Sequence, residues 1–501
     1  GEWLDTVEPF ATTPAFARRA LVSDIMTWHY DVPDNLRLHL EHDRVFIDWM
    51  AARGLNAFSY IRHAQDTRLK IDELVPLYRQ RGIASEYGGH VLQLLLPRER
   101  FKANPEYFPL GADGIRMPRG NLCVSNRDAL EAVKAGALRY VRENPEGESL
   151  HIWGADVWEG AWCRCAQCAD LAIAPAYVPQ LQYMAVVNAI AEALANETGG
   201  GPPVAYLAYH DTLEPVAALR PLPNVWFEWA PRERCYSHAI DDPACETNPR
   251  YFESLKRYIE LFQGRGHVFE YYADAILFGG LGFATPGIIA RDLRAYRALG
   301  LGSISCLTFG AWSALAYPVN LEAFARGTRS PDFEPESVLA DTAAELHPAC
   351  AAEVATAYHA IERASALILA GGGDVMRPRP DPRAAAARRA ELAWALDAIA
   401  EGIAAADHLA ESARDRLGAA ERAVWQYGRE VVSGISDYLA AAQAGGKDGL
   451  AQGDAAIKKI GEALQCVRAI DPSIKGTWGA NDLERLSGIW LQAMRRRLEN
   501  A

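Results

Sequence analysis

Over the first part of the chain, short β-rich apolar runs alternate with longer stretches whose apolar positions recur three and four apart. Eight runs read as strands: VSDIMTW (22–28), NAFSYI (56–61), IASEYG (83–88), LHIWGA (150–155), VAYLAY (204–209), NVWFEW (224–229), HVFEYY (267–272) and SISCLTF (303–309). The stretches HDRVFIDWMAARG (42–54), KIDELVPLYRQRG (70–82), NRDALEAVKAGALRYVREN (126–144) and PQLQYMAVVNAIAEALANE (179–197) read as helices. Thr285 and Pro286 read as an N-cap followed by proline at the first position of another helix, and Gly54, Gly82 and Gly300 stand where helices are expected to stop. Strand and helix alternating eight times predict an α/β fold, a (β/α)8 barrel over residues 21–330, in preference to an open doubly wound sheet. No GxGxxG follows the first strand, which weakens a dinucleotide fold further.

Past residue 330 the chain turns to Ala, Glu, Arg and Leu with few β-branched residues, a composition that predicts helix after helix. The Gly/Pro-rich AGGGDVMRPRPDPR (370–383) reads as a linker. It divides a helical extension (331–370) from a C-terminal bundle (384–501), and residues 1–20 form a lead-in to the barrel. Breaks are expected near AAQAGGKDG (441–449) and DPSIKGTWGAND (471–482). The bundle carries no cofactor-binding pattern, so its expected work is bracing the barrel, walling the cleft or forming a homodimer.

Charge and composition narrow the partners. The 501 residues are 50% hydrophobic and 23% charged, with no apolar run of membrane-spanning length. A net charge of −13 opposes phosphate backbones and anionic lipid, so neither nucleic acid nor membrane is expected as a partner. The chain opens on Gly1, which leaves targeting unreadable. Nine cysteines, an odd number, leave at least one thiol outside any internal pairing. Cys235 with Cys245, and members of the 163/165/168 group, are candidate disulfides, and a periplasmic or secreted location follows if they form.

In a barrel the ligand meets the C-terminal ends of the strands, and here those ends are rich in polar groups. They carry Trp28-His29-Tyr30-Asp31, Tyr60-Ile61-Arg62-His63, Glu86 to His90, Asp156, Tyr209-His210, Glu228-Trp229 and Glu270-Tyr271-Tyr272. Carboxylates at strands four, six and seven among aromatic residues suggest glycoside hydrolysis, in which rings stack on sugar faces and paired acids work the bond. Asp156, between Trp153 and Trp158, is the expected general acid, with Glu228 and Glu270 as base or nucleophile. His90, Tyr60, Trp153, Trp158, Trp229, Arg232, Tyr271 and Tyr272 are the expected substrate-binding residues, and no cofactor is required. Any one such carboxylate is as readily a helix cap or an arginine partner, and it is the convergence of three that favours chemistry. Glu159 reads as a solvated loop residue, and Trp49 and Trp425 read as core.

Cys163, Cys165 and Cys168, with Cys123, have the count for a tetrahedral metal knot, and the expectation is a structural staple by disulfide or metal. A catalytic metal is not expected there. A metal-dependent hydrolase built on His29, His63 and His90 is the third-ranked reading, behind a barrel that binds carbohydrate without cleaving it.

The run NLCVSNRDALEAVKAGALRYVRENPEGESLHIWGADVWEGAWCRCAQC, with RERCYSHAIDDPACETN and HVFEYYAD, resembles the domain-of-unknown-function family 4838 from about residue 18 to 345. The signals are the Cys-x-Cys-x-x-Cys after an aspartate, Cys235 with His238, and the tyrosine pair after Glu270. Part of that family is classed as glycoside hydrolase family 163, endo-β-N-acetylglucosaminidases acting on N-glycans. The resemblance therefore implies a barrel glycosidase acting on a glycan that contains N-acetylhexosamine. More distantly, HIWGADV is similar to the HIGGDEV strand of family 20 β-hexosaminidases, and EYGGH to their Pro-Gly-His loop. That likeness implies an acid at Asp156, but Ala155 stands where the family keeps the aspartate that orients the substrate acetamide. The layout of acids also resembles the inverting family 67 α-glucuronidases.

Overall fold

The computed structural model describes residues 13–24, 35–61, 68–157, 159–170, 177–369, 385–411, 416–468 and 480–499. Eight parallel strands close into a barrel in chain order: β1 (Arg18–Asp24), β2 (Ala57–Ile61), β3 (Ala84–Gly89), β4 (Leu150–Ile152), β5 (Val204–Ala208), β6 (Val225–Trp229), β7 (Gly266–Glu270) and β8 (Ser303–Thr308). Closure is made by β1 on β8, in register from Arg18 opposite Ser303 to Ser23 opposite Thr308. This pairing sets β1 four residues ahead of its expected start, because Arg18 to Val22 find partners on β8. Residues 28–31, Arg62, His63, Trp158 and the Tyr60 side chain lie outside the described residues.

Helices cover the strands, Asn35–Ala52, Arg68–Gln80, Arg127–Glu143, Pro179–Thr198 and Pro286–Ala298 where the periodicity predicts them and Asn248–Leu261 in addition. Gly54, Gly82 and Gly300 all hold left-handed φ, at 73°, 67° and 82°, where side chains with a Cβ are disfavoured and helices stop. Thr285 differs from expectation. Its side chain makes no cap bond, and its N–H donates instead to Asn320 Oδ1 at 2.7 Å.

Strand alternation sends one set of side chains to the helices and the other into the lumen. Phe58 stacks on Tyr78 and Tyr206 on Tyr183, while Phe227 packs with Tyr258 and Phe262 in the outer layer. The lumen is ionised. Arg18 pairs with Glu86, His151 Nε2 lies 3.3 Å from Glu86, and His151 Nδ1 lies 3.0 Å from Glu228. Burial acts to lower the His151 pKa, but Glu228 and Glu86 outweigh it and hold the imidazole up at about 10. Glu86, which burial would raise, is held well below the usual carboxylate range by Arg18 and His151. Arg18, Glu86, His151 and Glu228 thus form one chain of ion pairs, with Glu86, His151 and Glu228 buried and Arg18 reaching the open end. Gly88, at φ 129°, is required where β3 meets β4, since a Cβ there would stand 1.9 Å from the His151 carbonyl oxygen.

After the barrel come the helices Pro335–Leu346, Ala351–Ile368, Ala385–Glu411, Arg416–Ala444, Gly446–Arg468 and Ala480–Glu499. Gly445 and Gly446, both left-handed, make the expected break near 441–449, and Trp425 is buried as expected of core. The linker 370–383 lies outside the described residues. The helices are tied to the barrel by the Tyr427 hydroxyl, which donates to Gly279 O at 2.8 Å, and by Ala284 N–H, which donates to Ser365 Oγ at 3.1 Å. Among the described residues no helix is long and apolar enough to cross a membrane.

Candidate active site

The carboxyl ends of β3, β4 and β5 open on a small cleft whose walls include His90, Ala155, Val157, Tyr209, His210 and Asp211. Its position is the one where barrel enzymes bind their ligands. His90 Nδ1 lies 2.5 Å from Gly154 O, which ties the loop after β3 to the loop after β4. His210 is one of two non-glycine residues with positive φ among the described residues, at 48°. Its strained turn is over-determined by neighbours: Thr212 Oγ1 donates to Leu207 O at 3.0 Å, and Gln180 Nε2 donates to Asp211 O at 3.2 Å.

Three acids that the sequence reading passed over stand around this turn. Glu233, from the loop after β6, has Oε2 3.6 Å from His210 Nδ1. Burial pushes its carboxyl up to about 7, with Arg232 pulling down and Asp274 pushing up. Asp211 is also pushed up to about 7, first by burial and then by Glu159. Asp274 pairs through Oδ2 with Arg232 Nε at 2.8 Å, and its Oδ1 accepts the N–H groups of Ile276 and Leu277 at 2.8 and 2.9 Å. Burial drives His210 down to about 4, so the ring is neutral at neutral pH and does not ion-pair with Glu233. The Tyr209 phenol lies well above its usual pKa, first through burial, with Arg232 opposing and Asp156, Glu233 and Asp274 adding. These groups therefore share one electrostatic neighbourhood.

The expected residues divide. Asp156 stands between the wall residues Ala155 and Val157 and is exposed, and of the two tryptophans expected around it Trp158 lies outside the described residues. Trp153 turns down into the barrel, stacking on Phe269 at 5.6 Å and donating from Nε1 to Glu228 at 2.7 Å. Glu228 is consequently sealed beneath that indole with no exposure, so its expected place at the mouth is corrected to the lumen core. Glu270 is corrected too. His267 and Phe269 face the lumen, so Glu270 faces the helices, where Arg234 Nε lies 3.2 Å away and the Tyr296 hydroxyl donates to it. Trp229 and Tyr272 share that outer layer: Trp229 Nε1 donates to Ser254 Oγ at 3.4 Å, and the Tyr272 hydroxyl to Asp292 at 3.0 Å. Neither of these two aromatics is placed to touch a ligand at the mouth. His90 lines the cleft, Arg232 pairs with Asp274, and Tyr271 packs on Phe269 at 4.8 Å on the lumen side.

All nine cysteines are free thiols, so the candidate pairing of Cys235 with Cys245 is not made. Instead they gather with a histidine: the Sγ atoms of Cys235 and Cys245 and a ring nitrogen of His238 lie within 4.8 Å of one another, as do the sulfurs of Cys123, Cys163, Cys165 and Cys168.

Residues 24–305 match the family described as Domain of unknown function (DUF4838). No curated protein matches the sequence. Among solved structures, a GH138 enzyme targeting pectin rhamnogalacturonan II aligns over 100% of this chain and 87% of its own at 9% identity, with a TM-score of 0.54. A mutant O-GlcNAc hydrolase of Thermobaculum terrenum aligns over 96% of this chain and 95% of its own at 11% identity, with a TM-score of 0.47. The first likeness shows a fold shared with a glycoside hydrolase.

Proposed function

We propose that this chain, which belongs to the DUF4838 family, hydrolyses a glycosidic bond at the mouth of its barrel by acid–base catalysis between Glu233 and Asp156. Such a reaction needs one carboxyl that keeps its proton near neutrality and a second that is ionised. The single observation that carries the reading is Glu233, raised to about 7 by burial and 3.6 Å from His210, a residue of the cleft wall, with exposed Asp156 standing between the wall residues Ala155 and Val157. Glu233 is the proton donor to the leaving oxygen, and Asp156, open to water, is the carboxylate that activates water or attacks carbon. This reverses the role expected of Asp156, because Glu233 is the carboxyl that burial raises while the Asp156 side chain is open to water. Neutral His210 stands 3.6 Å from Glu233, and His90 ties the loop after β4 through Gly154 O. A glycan containing N-acetylhexosamine is the substrate class that the family resemblance favours.

The test is turnover on a panel of aryl glycosides and glycans, with the anomer of the first product read by NMR. Glu233→Gln and Asp156→Asn should each lower kcat by roughly 10²- to 10⁴-fold while saccharide binding persists. Binding of a saccharide without turnover by the unaltered protein would instead make this a carbohydrate-binding barrel.

A further inference from the structure

Sequence leaves the cysteine staple open between disulfide and metal, and the spacing of the sulfurs separates the two. Cys123 Sγ lies 3.8 Å from both Cys165 Sγ and Cys168 Sγ. A disulfide needs about 2.0 Å. Four sulfurs at about 2.3 Å from a central zinc form a tetrahedron with edges of about 3.8 Å. We propose that Cys123, Cys163, Cys165 and Cys168 bind one zinc ion in a closed structural site that holds the loop after β4 against the loop after β3.

Three further observations point the same way. The four sulfurs all lie within 4.8 Å of one another, and three of the four residues are buried. Backbone N–H groups aim at the sulfurs: Leu110 donates to Cys163 and Ser125 to Cys168, each at 3.3 Å, and Arg116 Nη1 lies 3.8 Å from Cys163. Such donors offset the charge of thiolates gathered on a divalent ion and orient them. Finally, the segments concerned have little regular structure of their own. β4 is three residues long, and the helix that follows the first two cysteines of its loop is four residues, Ala166–Ala169.

The site braces the cleft rather than entering its chemistry. Beside Cys123, Asn121 Oδ1 accepts the Ala155 N–H at 2.7 Å, and Asn121 N–H donates to Ala161 O at 2.9 Å. The four-thiolate knot closes the other end of the same loop, so that the rim carrying Asp156 hangs between two fixed points. Four soft thiolates in a closed tetrahedron suit zinc and leave no place for substrate.

Elemental analysis of the full-length protein, purified without chelator, should find one more zinc per chain than in Cys165→Ser/Cys168→Ser. The unaltered protein loaded with cobalt in place of zinc should show thiolate-to-metal absorption and intense tetrahedral ligand-field bands, a readout that does not depend on the variant folding. Equal zinc in protein and variant, a Cys123–Cys165 or Cys123–Cys168 disulfide in non-reducing peptide mapping, or cobalt-loaded protein without these bands would overturn the proposal.

Discussion

The Glu233 carboxyl keeps its proton up to about pH 7 because burial penalises its charge more than Arg232 relieves it. As proton donor it must be protonated, so kcat/KM should fall as pH rises through about 7, and Glu233→Gln should abolish that limb along with most of the activity. Stability moves in the same direction. The folded-state pKa lies above the unfolded value, so the unfolded chain binds fewer protons between about 4.5 and 7 and stability falls as pH rises across that window. Glu233→Gln should therefore melt higher than the unaltered protein at pH 8 and no higher at pH 4, measured by calorimetry. A group that costs stability beside a residue of the cleft wall is the pattern expected of catalytic machinery. None of this is visible in Arg-Glu-Arg as a sequence, because a glutamate between arginines reads as a paired, ionised residue.

At the scale of single elements, alternation decides which expected residues face a ligand. On β6, Trp226 and Glu228 enter the lumen and Trp229 leaves it; on β7, Phe269 enters and Glu270 leaves. Glu270→Gln should accordingly act on folding, stranding part of the buried Arg234 charge at a cost of about 3–5 kcal/mol. Urea denaturation checks this, and unchanged stability would sink the placement of Glu270 in the helix layer. The eight strands and most helix stops were legible because β-rich runs, caps and glycines are local signals. The facing of each strand was not, since a parallel barrel buries both faces and NVWFEW is apolar on each. The acids Asp211, Glu233 and Asp274 were missed for a related reason: they follow the strands on loops, where burial comes from distant parts of the chain and leaves no local pattern.

The molecule as a whole carries its charge balance inside. His151, raised to about 10 by its two carboxylates, contributes stability that is fully present below about 6.5 and is lost as pH rises through about 10. Glu86, held low by Arg18 and His151, contributes stability present above its ordinary value and lost on acidification. His151→Gln should flatten the alkaline fall in melting temperature, read by calorimetry across pH 6 to 10. The helical C-terminal region was legible from composition, but its docking through the Tyr427 hydroxyl and Ser365 was not, because single long-range bonds leave no periodicity. The barrel's seam has a mechanical consequence. Ala15 and Phe16, just ahead of β1, donate their N–H groups to Arg329 and Thr328 at 2.9 and 3.0 Å, at the end of the ring remote from the cleft. Tension applied to the chain at Ala15 is therefore borne first by the helix Pro318–Arg329, and the loops that would grip a sugar are shielded from the load.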